Sequence, residues 1–451
     1  MARNAGLNRR TFIKNAGVTA LAGAAGTTGT LVSSSADAAT PSSTARMAGG
    51  KYDLDTPYIR AGWNCSRWDS PVRTYGDKFK YGMGIASMDF EAPPCITEAL
   101  EARSQHHSWG YISSTESLRD AIVQWNGERQ GIDMDPESIV VSHGVYPGII
   151  AALRTLVPAG TKTLMLTPIY SGFYTMCRHT RADTVDSPLV YSNGRWEIDW
   201  DDLESKMTPD VNAMIVCNPQ NPTGNVWTEE ELLRIGRMCL ENQIVVLSDE
   251  IHSDFIRAGQ DYTPFASLWD KDVVNNSLSF NAVSKTFNLA GMKTAYFHSP
   301  NPTLLSRVRQ NHRADLTIMG VVANEAGYRE GGEWFDQVLA YIDANHSFTE
   351  EYVKQNMPMV NYKRAEGTFL NFMDFSPIMA AINAEEMAKE QGFRSAEHYF
   401  QDWLVEKSGV LLNPGVSYGA GSEGHMRMNV ASARVVLEGA LDAMAQAFRR
   451  V

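Results

Sequence analysis

Cysteine is scarce in this chain. Cys65, Cys95, Cys177, Cys217 and Cys239 are the only five in 451 residues. They are odd in number and scattered without metal-ligand spacing, which argues against a metal centre and against a disulfide framework. Basic runs are missing too. The formal net charge is −12 and no Lys/Arg-rich stretch stands out, so neither nucleic acid nor an anionic membrane surface is an expected partner. Beyond the N-terminus no apolar run reaches the roughly 20 residues that cross a bilayer, so no stable membrane anchoring is expected. Internal repeats are absent, as is low-complexity sequence beyond the leader. What remains is ordinary globular composition, 43% hydrophobic and 20% charged, in a chain long enough to bury a large core in two domains.

The N-terminus has its own grammar. Residues 8–14 read NRRTFIK, with paired Arg9 and Arg10 followed by Phe12, Ile13 and Lys14. A weakly apolar Ala/Gly-rich stretch runs on to Val32, and Ala36-Asp37-Ala38 is a small-residue cleavage site. This order of parts resembles a twin-arginine export signal, and a disordered basic tail is the alternative. The resemblance implies a signal over 1–38, recognition by the twin-arginine export machinery, and a periplasmic or secreted location. Residues 39–50, rich in Ala, Ser, Thr, Pro and Gly, read as a flexible spacer.

From residue 90 to about 300, strand and helix patterns alternate, which predicts a mostly parallel sheet covered by helices. Pro94 opens a helix with Ile96, Ala99 and Leu100 on one face. Residues 163–167, 211–217, 244–248 and 277–280 read as short buried strands, and Thr228 with Glu231 forms a capping box for a helix turning Leu232, Ile235 and Met238 inward. A long helical region over 317–357 leads to strands near 368–374 and 425–430 and a last helix bearing Leu437, Leu441, Met444 and Phe448. The expected division is 1–38 signal, 39–90 spacer and N-terminal segment, 91–345 large domain, and 346–451 smaller α+β C-terminal domain.

Four motifs follow or end predicted strands: NPQNPTG at 218–224, SDEIHSD at 248–254, SKTFNLAGMK at 284–293 and GHMRMN at 424–429. Ligands in open α/β sheets bind at the carboxyl ends of strands, so these segments should converge there. In this order and spacing they resemble the fold-type-I pyridoxal-phosphate (PLP) enzymes over the whole chain beyond the leader. The resemblance implies an α/β, aspartate-aminotransferase-like large domain with a smaller α+β domain.

The resemblance also implies roles. Lys285 is the residue that forms the Schiff base with the cofactor aldehyde and then serves as general base. Asp249 matches the carboxylate that keeps the pyridine nitrogen protonated. Asn221 and His252 fall where donors to the phenolic oxygen are placed, and Tyr170 where an aromatic stacks on the ring. SHGVYPG at 142–148 reads as a helix start whose free N–H groups suit a phosphate, with Gly144, Val145 and Tyr146 as backbone donors. Ser284 adds a hydroxyl. Lys293, eight residues beyond Lys285, stands where many aminotransferases have a phosphate-binding arginine, and Ala282 stands where many relatives have a hydroxyl. Arg427 is the expected clamp for a substrate carboxylate. Tyr111 matches a tyrosine that family dimers contribute to the neighbouring active site, which implies a homodimer.

Several segments are closer to one subfamily. AGWNCSRWD (61–69), SMDFEAPPCITEAL (87–100), CNPQNPTGNVWT (217–228), SDEIHSD and SKTFNLAG look like the MalY/PatB-type C–S β-lyases of aminotransferase class I/II. Those enzymes expel a thiolate from Cβ of an amino-acid substrate, whereas an aminotransferase passes the amine to a second acid. Both share every step through loss of the Cα proton, so the cofactor motifs leave the two open. A third reading is an exported PLP-fold protein that binds amino acids without turnover. Ser87 and Asn371 depart from the lyase pattern at positions expected to contact substrate, which points to a polar substrate side chain.

Twin-arginine receptors read the arginine pair and not charge alone. Replacing Arg9 and Arg10 together by lysine should therefore strand the protein in the cytoplasm, as read by cell fractionation; an unchanged distribution would show that NRRTFIK is not an address.

Overall fold

Seven short apolar segments build the central sheet of the computed structural model, which describes residues 50–112, 115–192 and 194–451. The expected signal at 1–38 lies outside the described residues. The strands are β1 (Ile139–Ser142), β2 (Lys162–Thr167), β3 (Asp183–Pro188), β4 (Val211–Cys217), β5 (Val245–Asp249), β6 (Ser277–Asn281) and β7 (Ala295–His298). Their spatial order is β1–β7–β6–β5–β4–β2–β3. Neighbours from β3 to β6 pair in parallel, and β7 runs antiparallel to β1 and β6. Parallel sheets are covered on both faces, and accordingly every residue of β6 and nearly all of β4 and β5 are buried. The four strands expected between 163 and 280 fall within one residue of their predicted bounds.

The helices follow their local signals. Pro94 sits in the first turn of α1 (Pro94–Ser104), of which Ile96 is fully buried while Ala99 and Leu100 are half-buried. Gly144 precedes α2 (Val145–Leu156). At α3 (Glu229–Glu241) the Glu231 N–H donates to Thr228 Oγ1 at 3.2 Å and Glu231 Oε2 accepts from the Thr228 N–H at 2.9 Å. Leu232 and Ile235 of α3 are buried, and Met238 is half-buried. The long helical region divides into α4 (Ile318–Glu330) and α5 (Gly332–Asn356). The break falls at Gly331, where a Cβ would meet Phe287 Cε1 at 2.5 Å and Gly327 O at 2.6 Å, so only glycine lets the chain pass.

The domain boundary expected at 345/346 falls inside α5, which continues unbroken for 25 residues. The C-terminal part contains a three-stranded antiparallel sheet of β8 (Leu370–Asp374), β9 (Asn413–Pro414) and β10 (His425–Asn429), in the order β8–β10–β9. It closes with α6 (Arg434–Phe448), whose Leu437, Leu441, Met444 and Phe448 are buried. One apolar cluster, from Leu54 through α5 to Phe448, joins the N-terminal segment to the C-terminal sheet and helices.

Removing one partner of a capping box leaves helix N–H groups unsatisfied. Thr228→Ala should lower the unfolding free energy by about 1 kcal/mol in urea titrations, with the far-UV spectrum retained. An unchanged midpoint would mean that other contacts set this helix start.

Candidate active site

Because β2, β4, β5 and β6 are parallel, the loops after Thr167, Cys217, Asp249 and Asn281 leave the same edge of the sheet. A cavity of about 850 Å³ opens there. It is lined by Tyr170, Asn221, Asp249, His252, Ser284, Lys285, Lys293 and Arg427, and by Gly144, Val145 and Tyr146 at the start of α2. Another groove of about 770 Å³, between residues 191–196, 350–366 and 425, shares no lining residue with it. Its charges are largely paired, Arg195 with Glu231 and Glu366 and Arg364 with Glu350.

Each loop is held for a local reason. In the 218–224 segment, Gln220 Nε2 donates to Leu166 O and Pro168 O, both at 2.8 Å, which ties the loop to the end of β2. Gly224 turns with φ 77°, and a Cβ there would meet Ala365 Cβ at 2.4 Å. Asn221 is thereby presented to Arg427, whose Nη1 donates to Asn221 Oδ1 at 3.0 Å. Arg427 Nη2 donates to Gly84 O at 2.8 Å, the guanidinium lies 5.1 Å from the Tyr418 ring centroid, and its buried Nε has no partner. After β6, Thr286 Oγ1 donates to Asp254 Oδ2 at 2.5 Å and Phe287 is buried in the core, which leaves Lys285 on the cavity side. Lys285 Nζ donates to Ala86 O at 2.8 Å.

Burial sets the protonation states. It pulls the Lys285 ammonium down to about 8; the positive charge of Arg427 adds to this and Asp249 opposes it. Burial also pushes the Asp249 carboxyl up to about 7, against a 3.1 Å bond from the Ile251 N–H and the attraction of Lys285. His252 is held well below the usual imidazole range, first by burial and then by the charges of Lys285 and Arg427. Its ring is therefore neutral, and its Nδ1 is buried without a partner.

Three expected residues stand elsewhere. Asn371 lies off the cavity lining: in the β8/β10 register Phe372 lies opposite Arg427 and Asn371 opposite Met428. Alternate residues of a strand face opposite sides, so Asn371 turns away from the clamp and its amide lies against His346 of α5. Ser87 is also displaced from the cavity lining, its Oγ accepting from Arg60 Nη2 at 2.9 Å. Tyr111 is fully exposed and lies outside this chain's cavity. Sequence reasoning missed Asn413, Tyr418, Ile85 and Ala86, all of which line it. Only the pairing of β9 with β10, which sets Asn413 opposite Arg427, could have signalled the first.

The donor set fits pyridoxal phosphate. A buried amine, a buried carboxyl, a neutral imidazole with a free Nδ1 and the Asn221 amide, whose oxygen is taken by Arg427 and whose nitrogen is left to donate, surround one space. The first N–H groups of α2, which have no acceptor within a helix, share that space with Ser284 and Lys293. Tyr170 supplies an aromatic face at the rim, 37% exposed and edge-on to Phe173 at 5.5 Å. Ala282 is buried and brings no hydroxyl.

Fold and site together define a pyridoxal-phosphate-dependent enzyme of fold type I. The chain belongs to the aminotransferase class I and II family, whose model matches residues 80–444. It is 34% identical over 394 residues to the cystathionine β-lyase PatB of Bacillus subtilis, an alignment covering 86% of this chain and 98% of that protein. The solved structure of cystalysin from Treponema denticola, which contains a pyridoxal 5'-phosphate cofactor, superposes with a TM-score of 0.81 at 26% identity, over 88% of this chain and 99% of that one. The PLP-bound C–S lyase of Staphylococcus hominis gives 0.77 at 29% identity, over 88% and 99%.

With its ammonium pulled down to about 8, Lys285 should lose its proton well before an ordinary lysine near 10.4. In cofactor-free protein, the rate of amine labelling at Lys285 should rise with a midpoint near pH 8, read by peptide mass spectrometry. A midpoint at the ordinary value would mean the amine stands in water.

Proposed function

We propose that this chain is a C–S β-lyase that splits a sulfur-containing L-amino acid, such as cystathionine or a cysteine conjugate, into pyruvate, ammonia and a thiol. The observation that carries the reading is the convergence of Lys285, Asp249 and Arg427 on one cavity in a chain whose full-length relatives include a cystathionine β-lyase. When bound, pyridoxal phosphate supplies an electron sink for negative charge at the substrate Cα. Asp249 would keep a proton on the ring nitrogen. The N-terminus of α2, Ser284 and Lys293 would hold the phosphate, and Tyr170 would border the ring. Asn221 and His252 would serve the phenolic oxygen. Arg427 takes the substrate carboxylate through parallel N–H donors, which orients the Cα–H bond. Lys285, with its lowered proton affinity, removes the Cα proton at Nζ. The electron pair left at Cα forms a Cα–Cβ double bond as the Cβ–S bond breaks; the C–S pair departs with the thiolate, which takes up a proton, and water hydrolyses the released 2-aminoacrylate to pyruvate and ammonia.

The chain acts as a homodimer in this reading, with Tyr111 of the second copy bordering the leaving group. The exposure of Trp63, Trp109 and Tyr111 on this chain supports it. Export through the twin-arginine machinery to the periplasm or the medium belongs to the same proposal and rests on NRRTFIK and Ala36-Asp37-Ala38. The second reading is an aminotransferase, favoured by the family description itself and sharing every step through proton removal. A binding protein without turnover is disfavoured, because binding alone calls for neither Lys285 nor Asp249.

Cystathionine, cysteine and S-alkyl cysteines, supplied separately with and without 2-oxoglutarate, separate the readings. Pyruvate and thiol should form without the acceptor. Product that needs the acceptor, with no thiol released, would assign the aminotransferase. Lys285→Ala should lower turnover by several orders of magnitude, since it removes both the covalent anchor and the base.

A further inference from the structure

The Gly82–Asp89 segment is a strap, bent at Gly84–Ala86, whose Ile85 and Ala86 line the cavity. Each of its carbonyls from Met83 to Met88 has a donor. Met83 O accepts from the Asn429 N–H at 2.7 Å and Gly84 O from Arg427. Ile85 O and Ser87 O both accept from Asn429 Nδ2 at 2.7 Å, and Ala86 O accepts from Lys285. Ser87 O also accepts from Arg67 Nη1 at 2.6 Å. The strap ends at the buried Asp89, which meets Arg67 Nε at 3.2 Å, Arg60 Nη2 at 3.2 Å and the Trp68 indole N–H at 3.1 Å.

The remaining carbonyl carries the argument. Met88 is held twice by one side chain: its N–H donates to Asn288 Oδ1 at 3.0 Å, and its O accepts from Asn288 Nδ2 at 2.8 Å. Asn288 lies three residues after Lys285, and its own N–H donates to Lys285 O at 3.3 Å. It adopts φ 57°, a left-handed conformation that asparagine tolerates better than most residues. The loop that carries the lysine therefore grips the strap that accepts the lysine's hydrogen bond.

We propose that Asn288 is a positioning residue for Lys285: by clamping Met88 it sets the Ala86 carbonyl at the distance and angle that aim Nζ into the cavity, while the Arg67–Asp89 pair seats the same strap from the N-terminal segment. The inference rests on Lys285 being the reactive amine. A backbone carbonyl cannot be removed by substitution, so Asn288 is the handle on it. An amine that donates one N–H to Ala86 O has its lone pair oriented by that bond, and misplacement by about 1 Å costs on the order of a hundredfold in rate.

The decisive variant is Asn288→Gly, which keeps the left-handed turn and deletes only the clamp. Asn288→Asp retains the acceptor for the Met88 N–H and loses the donor to Met88 O. The charged and titratable groups facing Lys285 are Arg427 of β10, Asp249 of β5 and His252 after it, and all remain in both variants; Asn288→Asp adds a carboxylate of its own, so it is read by kcat and not by the labelling midpoint. Labelling of Lys285 in cofactor-free Asn288→Gly should shift its midpoint by about half a unit or more. The shift is upward if the loosened strap admits water, downward if the lost carbonyl bond dominates. The PLP-loaded variant should lose about tenfold or more in kcat with little change in KM, and Asn288→Asp should fall between it and the parent. A folded Asn288→Gly protein with unchanged labelling midpoint and kcat overturns the proposal, even if its melting temperature drops. If Asn288→Gly does not fold, Asn288→Asp, which keeps only one of the two bonds to Met88, replaces it; an unchanged kcat there overturns the proposal equally. The labelling readout needs neither substrate nor cofactor, so its failure is distinguishable from failure of the lyase reading.

Discussion

Asp249 closes a strand buried on both faces, and a carboxyl placed there pays for its desolvation unless something at the cavity answers it. Without an answer its proton is held until about pH 7. The neighbouring Glu250 solves the same difficulty inward, accepting from Ser248 Oγ at 2.8 Å, the Phe265 N–H at 3.0 Å and Ser279 Oγ at 3.2 Å. Asp249 has only the Ile251 N–H and the field of Lys285. A cofactor with a protonated ring nitrogen there would supply the partner that the Asp249 carboxylate lacks. The same burial lowers Lys285, so acid and amine are shifted in opposite directions by one low-dielectric space.

Arg427 converts that space into a junction. It comes from β10 of the C-terminal sheet, reaches Asn221 in the loop after β4, and grips Gly84 of the strap. Three stretches far apart in sequence therefore meet at one guanidinium. Loss of its side chain would leave Asn221 Oδ1 and Gly84 O without this donor in a buried place, which costs more than an exposed arginine would. A substrate carboxylate gains a clamp already held in position, and little ordering remains to be done on binding.

Much of this was readable beforehand because it is local. Strands β4 and β6 announce themselves as short apolar runs, the capping box as Thr228 and Glu231, and Lys285, Asp249 and Asn221 through motifs at strand ends that topology must bring together. What escaped reading depends on pairing. Asn371 was expected in the pocket, but which face it occupies depends on strand register, and one residue's slip exchanges the faces. Ser87 lies one residue beyond Ala86, yet the strap turns its hydroxyl to Arg60. Asn288 sat inside a motif already noted without showing a role, because its partner, Met88, is two hundred residues away. The expected boundary at 345/346 falls within α5, one uninterrupted helix.

The correction at Asn371 bears on substrate choice. Among the described residues lining the cavity, those with formal charge are Asp249, Lys285, Lys293 and Arg427, and the proposed chemistry commits all four to ring nitrogen, Cα proton, phosphate and carboxylate. Ile85, Asn413 and Tyr418, none of them given a role toward the cofactor, are then among the residues left to meet the substrate side chain from this chain's surface. Asn413 Nδ2 already contacts Tyr418 Oη at 3.4 Å, so its polarity is partly used. Without Asn371 the sequence argument for a polar side chain loses its main support. Selection for a C–S bond then rests on how aromatic and aliphatic walls orient the Cβ–S bond against the electron sink, and not on a charge that recognises the far end of the molecule.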